Sequence, residues 1–133
     1  MTTQYLLDTN AASAILRQQE PVCARAASVP LSALASSSVT AGEMHYGLAK
    51  RPQATTLAKL VQEFLRYTDI LPWNDAIAPH YGTLRAALEA KGITIAPLDL
   101  MIAAHALAID ATLVSADQAL SMIDILKVED WSI

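Results

Sequence analysis

The chain of 133 residues carries one cysteine, four glycines and one phenylalanine, and only 17% of its residues are charged. A lone thiol, Cys23, forms no internal bridge, which excludes a disulfide scaffold and a cysteine-rich zinc module. No Gly-rich phosphate loop and no Gly-x-Ser-x-Gly elbow is present, so nucleotide hydrolases and serine esterases lack their signatures. Long hydrophobic runs are missing as well. The most apolar stretch, residues 100–109, is interrupted by His105 and bounded by Asp99 and Asp110, well short of the roughly 18 residues a membrane span needs. Nine basic residues against thirteen acidic ones give a net charge of −4, which argues against a broad basic face for gripping nucleic acid. Asp8 interrupts the only early apolar segment and no Lys or Arg precedes Arg17, so the expectation is a cytoplasmic protein without a secretory leader.

What is present is apolar content: 53% of the residues are hydrophobic, too many for a disordered chain. A chain of this size forms one domain, residues 1–133, and buries about two-thirds of its unfolded surface. Period and breaker signals predict alternating strands and helices. Strands are expected at residues 4–7, 34–39, 70–73, 112–115 and 125–128, with a brief extended segment at 93–96. Helices are expected at 11–18, 21–28, 40–50, 55–66, 74–91, 99–109 and 118–123. Asp8 opens the first helix, Thr40 to Glu43 has the form of a capping box, and Gly92 ends the helix before it. Such alternation predicts an α/β fold with a parallel sheet covered on both faces.

Four acids share one structural address. Asp8, Glu43, Asp99 and Asp117 each stand at or just inside the start of a predicted helix, and in a parallel sheet those positions face the crevice where ligands bind. Capping explains any one of them alone. Their number points further, because four ionised carboxylates gathered at about 5–6 Å repel by roughly 3 kcal/mol per pair at an effective dielectric near 20. Either some take up protons, or a divalent cation neutralises them; all-oxygen ligation favours Mg²⁺ or Mn²⁺.

In order and spacing, Asp8-Thr9-Asn10, Ser37-Ser38-Val39-Thr40-Ala41-Gly42-Glu43, Pro97-Leu98-Asp99 with Met101-Ile102-Ala103-Ala104-His105, and Leu113-Val114-Ser115-Ala116-Asp117 resemble PIN-domain nucleases, and the closing Val128-Glu129-Asp130-Trp131 fits the same pattern. Within that superfamily the chain resembles the VapC toxins of type II toxin–antitoxin systems over nearly its full length. The resemblance implies a three-layer α/β/α sandwich with a central, mainly parallel sheet. It implies Mg²⁺- or Mn²⁺-dependent endoribonuclease activity on tRNA or rRNA loops that inhibits translation, with Asp8, Glu43, Asp99 and Asp117 as the catalytic, metal-ligating acids. It also implies a VapB-like antitoxin partner and a homodimer. Two positions depart from the pattern: Ser115-Ala116-Asp117 stands where relatives often carry Thr-Asn before the acid, and Asp110 replaces a frequent Gly, a change tolerable because Asp enters the left-handed region.

Asn10 and Ser115 are candidate donors behind the acids, and Arg17, Arg25, Lys50, Arg51 and Arg85 are candidate phosphate contacts, with capping and solvated surface charge as the plainer readings. His45, His80 and His105 invite a metal-free ribonuclease, but no spacing joins them, and His105 reads as a satisfied core histidine. A Mg²⁺ phosphatase with Asp8 as nucleophile commonly places a second Asp two residues on, where this chain has Asn10. A non-catalytic PIN-like module, its acids only capping helices, is the remaining alternative. The helical stretches at residues 11–28 and 55–66 carry enough apolar positions to form a groove for an amphipathic antitoxin helix. Trp73 reads as core, while Tyr46, Tyr67 and Tyr81 fit core or dimer contacts.

Overall fold

The short apolar runs between capping residues become the strands of one sheet. In the computed structural model, which describes residues 3–133, β1 (Tyr5–Leu7), β2 (Leu34–Ser37), β3 (Asp69–Leu71), β4 (Thr112–Val114) and β5 (Val128–Glu129) lie in the order β3-β2-β1-β4-β5. Every pairing is parallel; Leu6 stands opposite Ala35 on one side and Leu113 on the other. The helices are α1 (Thr9–Leu16), α2 (Val22–Ala27), α3 (Ser38–Lys50), α4 (Thr55–Tyr67), α5 (Ala78–Ala90) and α6 (Pro97–Ala108).

Alternation along the strands divides the core in two, because successive side chains leave opposite faces. Leu6, Ala35 and Leu113 pack against Leu84 and Leu88 of α5 and Leu100, Ile102, Ala103 and Ala106 of α6. Leu7, Leu34 and Val114 pack against Ala12 and Leu16 of α1, Met44 of α3, Val61 and Phe64 of α4, and Trp131. The result is the expected α/β/α sandwich. The α6 helix is apolar on most sides, since Leu100 and residues 102–106 are all buried between the sheet and α5.

Several boundaries differ from the sequence reading, each for a local reason. The Thr40–Glu43 capping box is not used: α3 starts earlier, capped by Ser37, whose hydroxyl accepts the Val39 N–H at 3.1 Å. The helix expected from residue 74 begins at Ala78, because Asn74 instead closes a turn onto the Ala76 and Ile77 amides before Pro79 enters the first helical turn. Residues 93–96 pair with no strand and lead straight into α6, and the expected helix over 118–123 is a single 3₁₀ turn, Leu120–Met122. Gly92 has φ +72°, the left-handed helix stop that glycine adopts without steric cost. Asp110 has φ 54°, the conformation its substitution for Gly requires.

Candidate functional site

The strand order places the site. The chain steps outward from β1 to β2 and β3, then crosses back to lay β4 on the opposite side of β1. Such a reversal opens a crevice outside the C-terminal strand ends. Asp8 follows β1 directly, Asp117 comes three residues after β4, Glu43 lies one turn into the helix that leaves β2, and Asp99 is in the first turn of α6. Four segments far apart in sequence thus deliver their carboxylates to one edge of the sheet.

Their electrostatics show that they are neighbours. Burial, first of all, pushes the Asp8 carboxyl above its ordinary value, and the negative charges of Asp117 and Glu43 add to this; the Ser115 hydroxyl and the Ala11 amide pull the other way. Asp99 is also raised, by desolvation first and then by Asp117, Asp8 and Glu43. No basic side chain contributes to either shift. A cluster that repels itself and recruits no Lys or Arg has the charge to hold a cation.

Each carboxylate is held differently. Asp8 is the N-cap of α1, its Oδ1 accepting the Ala11 N–H at 2.7 Å, and it is only 6% exposed. Asp117 closes the turn after β4 by accepting the Ala119 N–H at 2.9 Å, while its own N–H donates to Ser115 Oγ at 3.1 Å. Glu43 does no capping: its Oε1 accepts the Thr9 hydroxyl at 2.5 Å, and Thr9 Oγ1 also lies 3.2 Å from the buried Thr40 hydroxyl. Asp99 has no hydrogen-bond partner among the described residues. Capping therefore accounts for Asp8 and Asp117 but not for Glu43 or Asp99.

Whether these residues suit a metal turns on donor chemistry and spacing. The donors are all carboxylate oxygens, the set Mg²⁺ and Mn²⁺ prefer. Among the described residues, no three His, Cys, Asp or Glu side chains converge tightly enough to enclose an ion by themselves. Mg²⁺ does not require that: it keeps several waters and is commonly bound through one or two carboxylates. The set fits an open, water-rich site, with one oxygen of Asp117 and both oxygens of Asp99 outside the hydrogen bonds described above.

Thr9 and Thr40 were not foreseen as supports for Glu43. The available signal was a hydroxyl adjoining an acid at a strand end, but its partner is 34 residues away. Behind the crevice, His105 of α6 is buried and its Nδ1 lies 2.8 Å from Ser37 Oγ, tying α6 to the start of α3; desolvation holds its imidazole below the usual value. It is the satisfied core histidine expected, and His45 and His80 are exposed. Of the expected phosphate contacts, Arg17 lines a depression of about 150 Å³ beside Thr9 and Glu43. Arg25 lies 3.8 Å from Glu129, Arg85 bonds Glu89 and Tyr81, and Lys50 sits over the Tyr46 ring; Arg51 is exposed. Trp73 is partly buried, its indole N–H donating to the Met101 carbonyl at 2.9 Å, whereas Tyr46 and Tyr67 are exposed. Cys23 is half-buried.

The fold and the sequence both match known proteins. Residues 5–126 match the model of the PIN domain. The chain is 34% identical over 99 residues to Ribonuclease VapC2 of Rickettsia felis, covering 74% of each protein. It is 28% identical over 130 residues to the tRNA(fMet)-specific endonuclease VapC of Shigella flexneri, covering 97% of this chain and 98% of that one. Its fold superposes with TM-score 0.88 on a chain of the crystal structure of VapBC2 from Rickettsia felis bound to a DNA fragment from its promoter, at 29% identity, covering 97% of this chain and 99% of that one. The chain belongs to the PIN domain family, and within it to the VapC branch.

Proposed function

We propose that the chain is a Mg²⁺- or Mn²⁺-dependent endoribonuclease, the toxin of a type II toxin–antitoxin pair, which cuts structured loops of tRNA or rRNA and so inhibits translation. One observation carries the reading: Asp8, Glu43, Asp99 and Asp117 act on one another electrostatically at the switch-point edge of a parallel sheet, with no basic side chain offsetting them. The names of relatives support the substrate class, as ribonucleases and a tRNA-specific endonuclease. Structures titled as VapBC complexes support an antitoxin partner. A homodimer and a cytoplasmic setting complete the proposal; no helix among the described residues is long and apolar enough to cross a membrane.

In this reading Asp8 and Asp99 are the central ligands, and Glu43 and Asp117 complete the site directly or through water. A bound divalent ion supplies an acidified water nucleophile and charge stabilisation at the phosphate. The chain's part is positional. The α1 amide of Ala11 and the Ser115 hydroxyl fix the Asp8 carboxylate, and the Thr9 hydroxyl fixes one oxygen of Glu43, leaving its second oxygen to meet the cation or to orient water. An unpaired RNA loop suits the crevice because its backbone bends into a concave edge that a duplex cannot enter.

Cleavage of total tRNA and rRNA with Mn²⁺, with Mn²⁺ plus chelator, and by an Asp99→Asn variant tests this. Cleavage is expected only for the unmodified chain with free metal. Cleavage that survives both the chelator and Asp99→Asn refutes the metal mechanism, and no cleavage of any RNA favours the non-catalytic module.

A further inference from the structure

On α3 the spacing of Glu43, Tyr46, Gly47 and Lys50 sets four positions on one face, because residues three and four apart on a helix are neighbours. That face starts at an acid of the site and runs away from it; Lys50 stands two turns on, about 10 Å along the axis. Tyr46 is 63% exposed and belongs to neither half of the core. Lys50 Nζ lies 4.7 Å from the centre of the Tyr46 ring, so cation and aromatic stand together. Across a depression of about 150 Å³ that also touches Thr9 and Glu43, α1 ends in Arg17, whose Nε donates to Ser13 Oγ at 3.3 Å. Between the two banks Gly47 offers bare backbone, where an added Cβ would meet no other element within 4 Å.

We propose that this face, with Arg17 opposite, is the track along which an unpaired RNA strand leaves the acids, a base stacking on Tyr46 and phosphates meeting Lys50 and Arg17; the inference rests on the endoribonuclease reading above. Charge singles out this layer. Residues 38–67 carry four basic side chains against two acidic ones, in a chain whose net charge is −4. Among the described residues, ion pairs engage Arg25, Arg85 and Lys127, whereas Arg17, Lys50, Arg51, Lys59 and Arg66 have no carboxylate partner. All five lie on α4 or at the ends of α1 and α3, and these three helices pack on one another.

An RNA substrate needs such a flank. Each nucleotide brings a negative charge, and the acids repel every phosphate that a bound cation does not hold, so the rest of the strand must find positive groups outside the cluster. A basic groove beside an exposed aromatic is the general means of holding a single strand: the cations follow the backbone and the ring takes a base face, whatever the base. The apolar floor of the depression, from Leu16, Met44 and Val61, is a separate surface, and neither Tyr46 nor Lys50 lines it. A charged, aromatic bank suits a polyanion with exposed bases better than the apolar stripe of a partner helix.

The test is fluorescence anisotropy of a labelled, unstructured RNA octamer with Asp99→Asn, which removes turnover, beside steady-state cleavage of the same RNA by the intact chain with Mn²⁺. In the Asp99→Asn background, Tyr46→Ala should weaken binding about tenfold, and Tyr46→Phe, which keeps the ring, should bind as well as Tyr46. Lys50→Gln and Arg17→Gln should each reduce the slope of log Kd against log salt by about 0.7, the value for one single-strand phosphate; Lys91→Gln, at the end of α5, should not. Gly47→Ala should raise Tm, Ala being the better helix former, and still weaken binding. In cleavage the Tyr46→Ala loss should fall on KM with kcat kept, as for a contact equal in ground and transition states. Binding unaltered by Tyr46→Ala, or salt slopes for Lys50→Gln and Arg17→Gln that match Lys91→Gln, overturns the proposal. So does a Tyr46→Ala effect confined to self-association or to binding of an amphipathic antitoxin peptide, which would assign the face to a protein. If no RNA is cleaved but the variants weaken binding as stated, the nuclease reading fails and the track stands. If RNA is cleaved and the variants bind it undiminished, the track fails and the nuclease reading stands; RNA that is neither bound nor cleaved overturns both.

Discussion

Replacing Asp8 by Asn separates a buried charge from the hydrogen bond that the same side chain makes. Asn caps a helix about as well as Asp, so the bond to the Ala11 amide and the start of α1 survive the change. What disappears is a carboxylate that burial and two acidic neighbours make costly to ionise. Because its pKa is raised in the folded state, the native chain holds more protons than the unfolded one between the unfolded and folded values, and stability falls as pH rises through that window. The metal-free protein carries the full penalty once the pH is above that window. Relief of about 1 kcal/mol, the low end for an uncompensated buried group, is a fair expectation. For 133 residues the unfolding entropy is about 0.28 kcal/mol/K, so Tm rises by about 3–4 °C. Mn²⁺ acts in the opposite sense: at a hundred times its Kd it stabilises the unmodified chain by about 2.7 kcal/mol, or about 10 °C, and should do little for the variant. Thermal melts in chelator and in Mn²⁺ for Asp8→Asn, with Asp8→Ala as the cap-deleted control, measure both terms. A lower Tm for Asp8→Asn in chelator, or equal Mn²⁺ stabilisation of both proteins, would refute the argument.

Thr9→Val should lower RNA cleavage about tenfold or more by releasing Glu43, whereas Thr9→Ser, which restores the hydroxyl, should recover most of it; equal losses in the two variants would show that the hydroxyl does not position the acid. His105 has a folded pKa below its unfolded value, so its contribution is full above about pH 6.5 and is lost as pH falls below it. Denaturation midpoints from pH 7.5 to 5.5 should thus drop more steeply for the unmodified chain than for His105→Gln. Ser37→Ala removes the cap of α3 and the partner of His105 together, and about 2 kcal/mol, or about 7 °C in Tm, should be lost. At Asp110, φ 54° predicts that Val costs about 1–2 kcal/mol while Gly is tolerated, as comparative melts would show.

The sequence disclosed the sheet, both helical layers and the placement of the four acids near the C-terminal strand ends, because short apolar runs and capping residues are local signals. It misled where several local solutions compete. In Ser36-Ser37-Ser38-Val39-Thr40 any of four hydroxyls is a chemically acceptable cap, and the choice of Ser37 goes with the seating of the same oxygen against His105, 68 residues later. At residue 74 the expected helix start gives way to a turn closed by Asn74. The Thr9–Glu43 bond joins two elements whose separation of 34 residues hides it from any pattern. What remained illegible was thus the set of contacts that depend on which helices end up side by side.

The placement of β4 bears on how the activity would first arise during synthesis. Asp117 reaches the crevice only when Thr112–Val114 has been laid beside β1, and that ladder waits for α5 and α6 to be made. A nascent chain that has emerged only as far as α6, or a fragment cut short by a premature stop there, already carries Asp8, Glu43 and Asp99, yet lacks both the fourth acid and the neighbouring strand that seats Asp8, whose amide bonds the Val114 carbonyl. With the four acids as the proposed catalytic set, competence for cleavage would be withheld until the final fifth of the polypeptide has left the ribosome, and incomplete products would be harmless to the RNA around them.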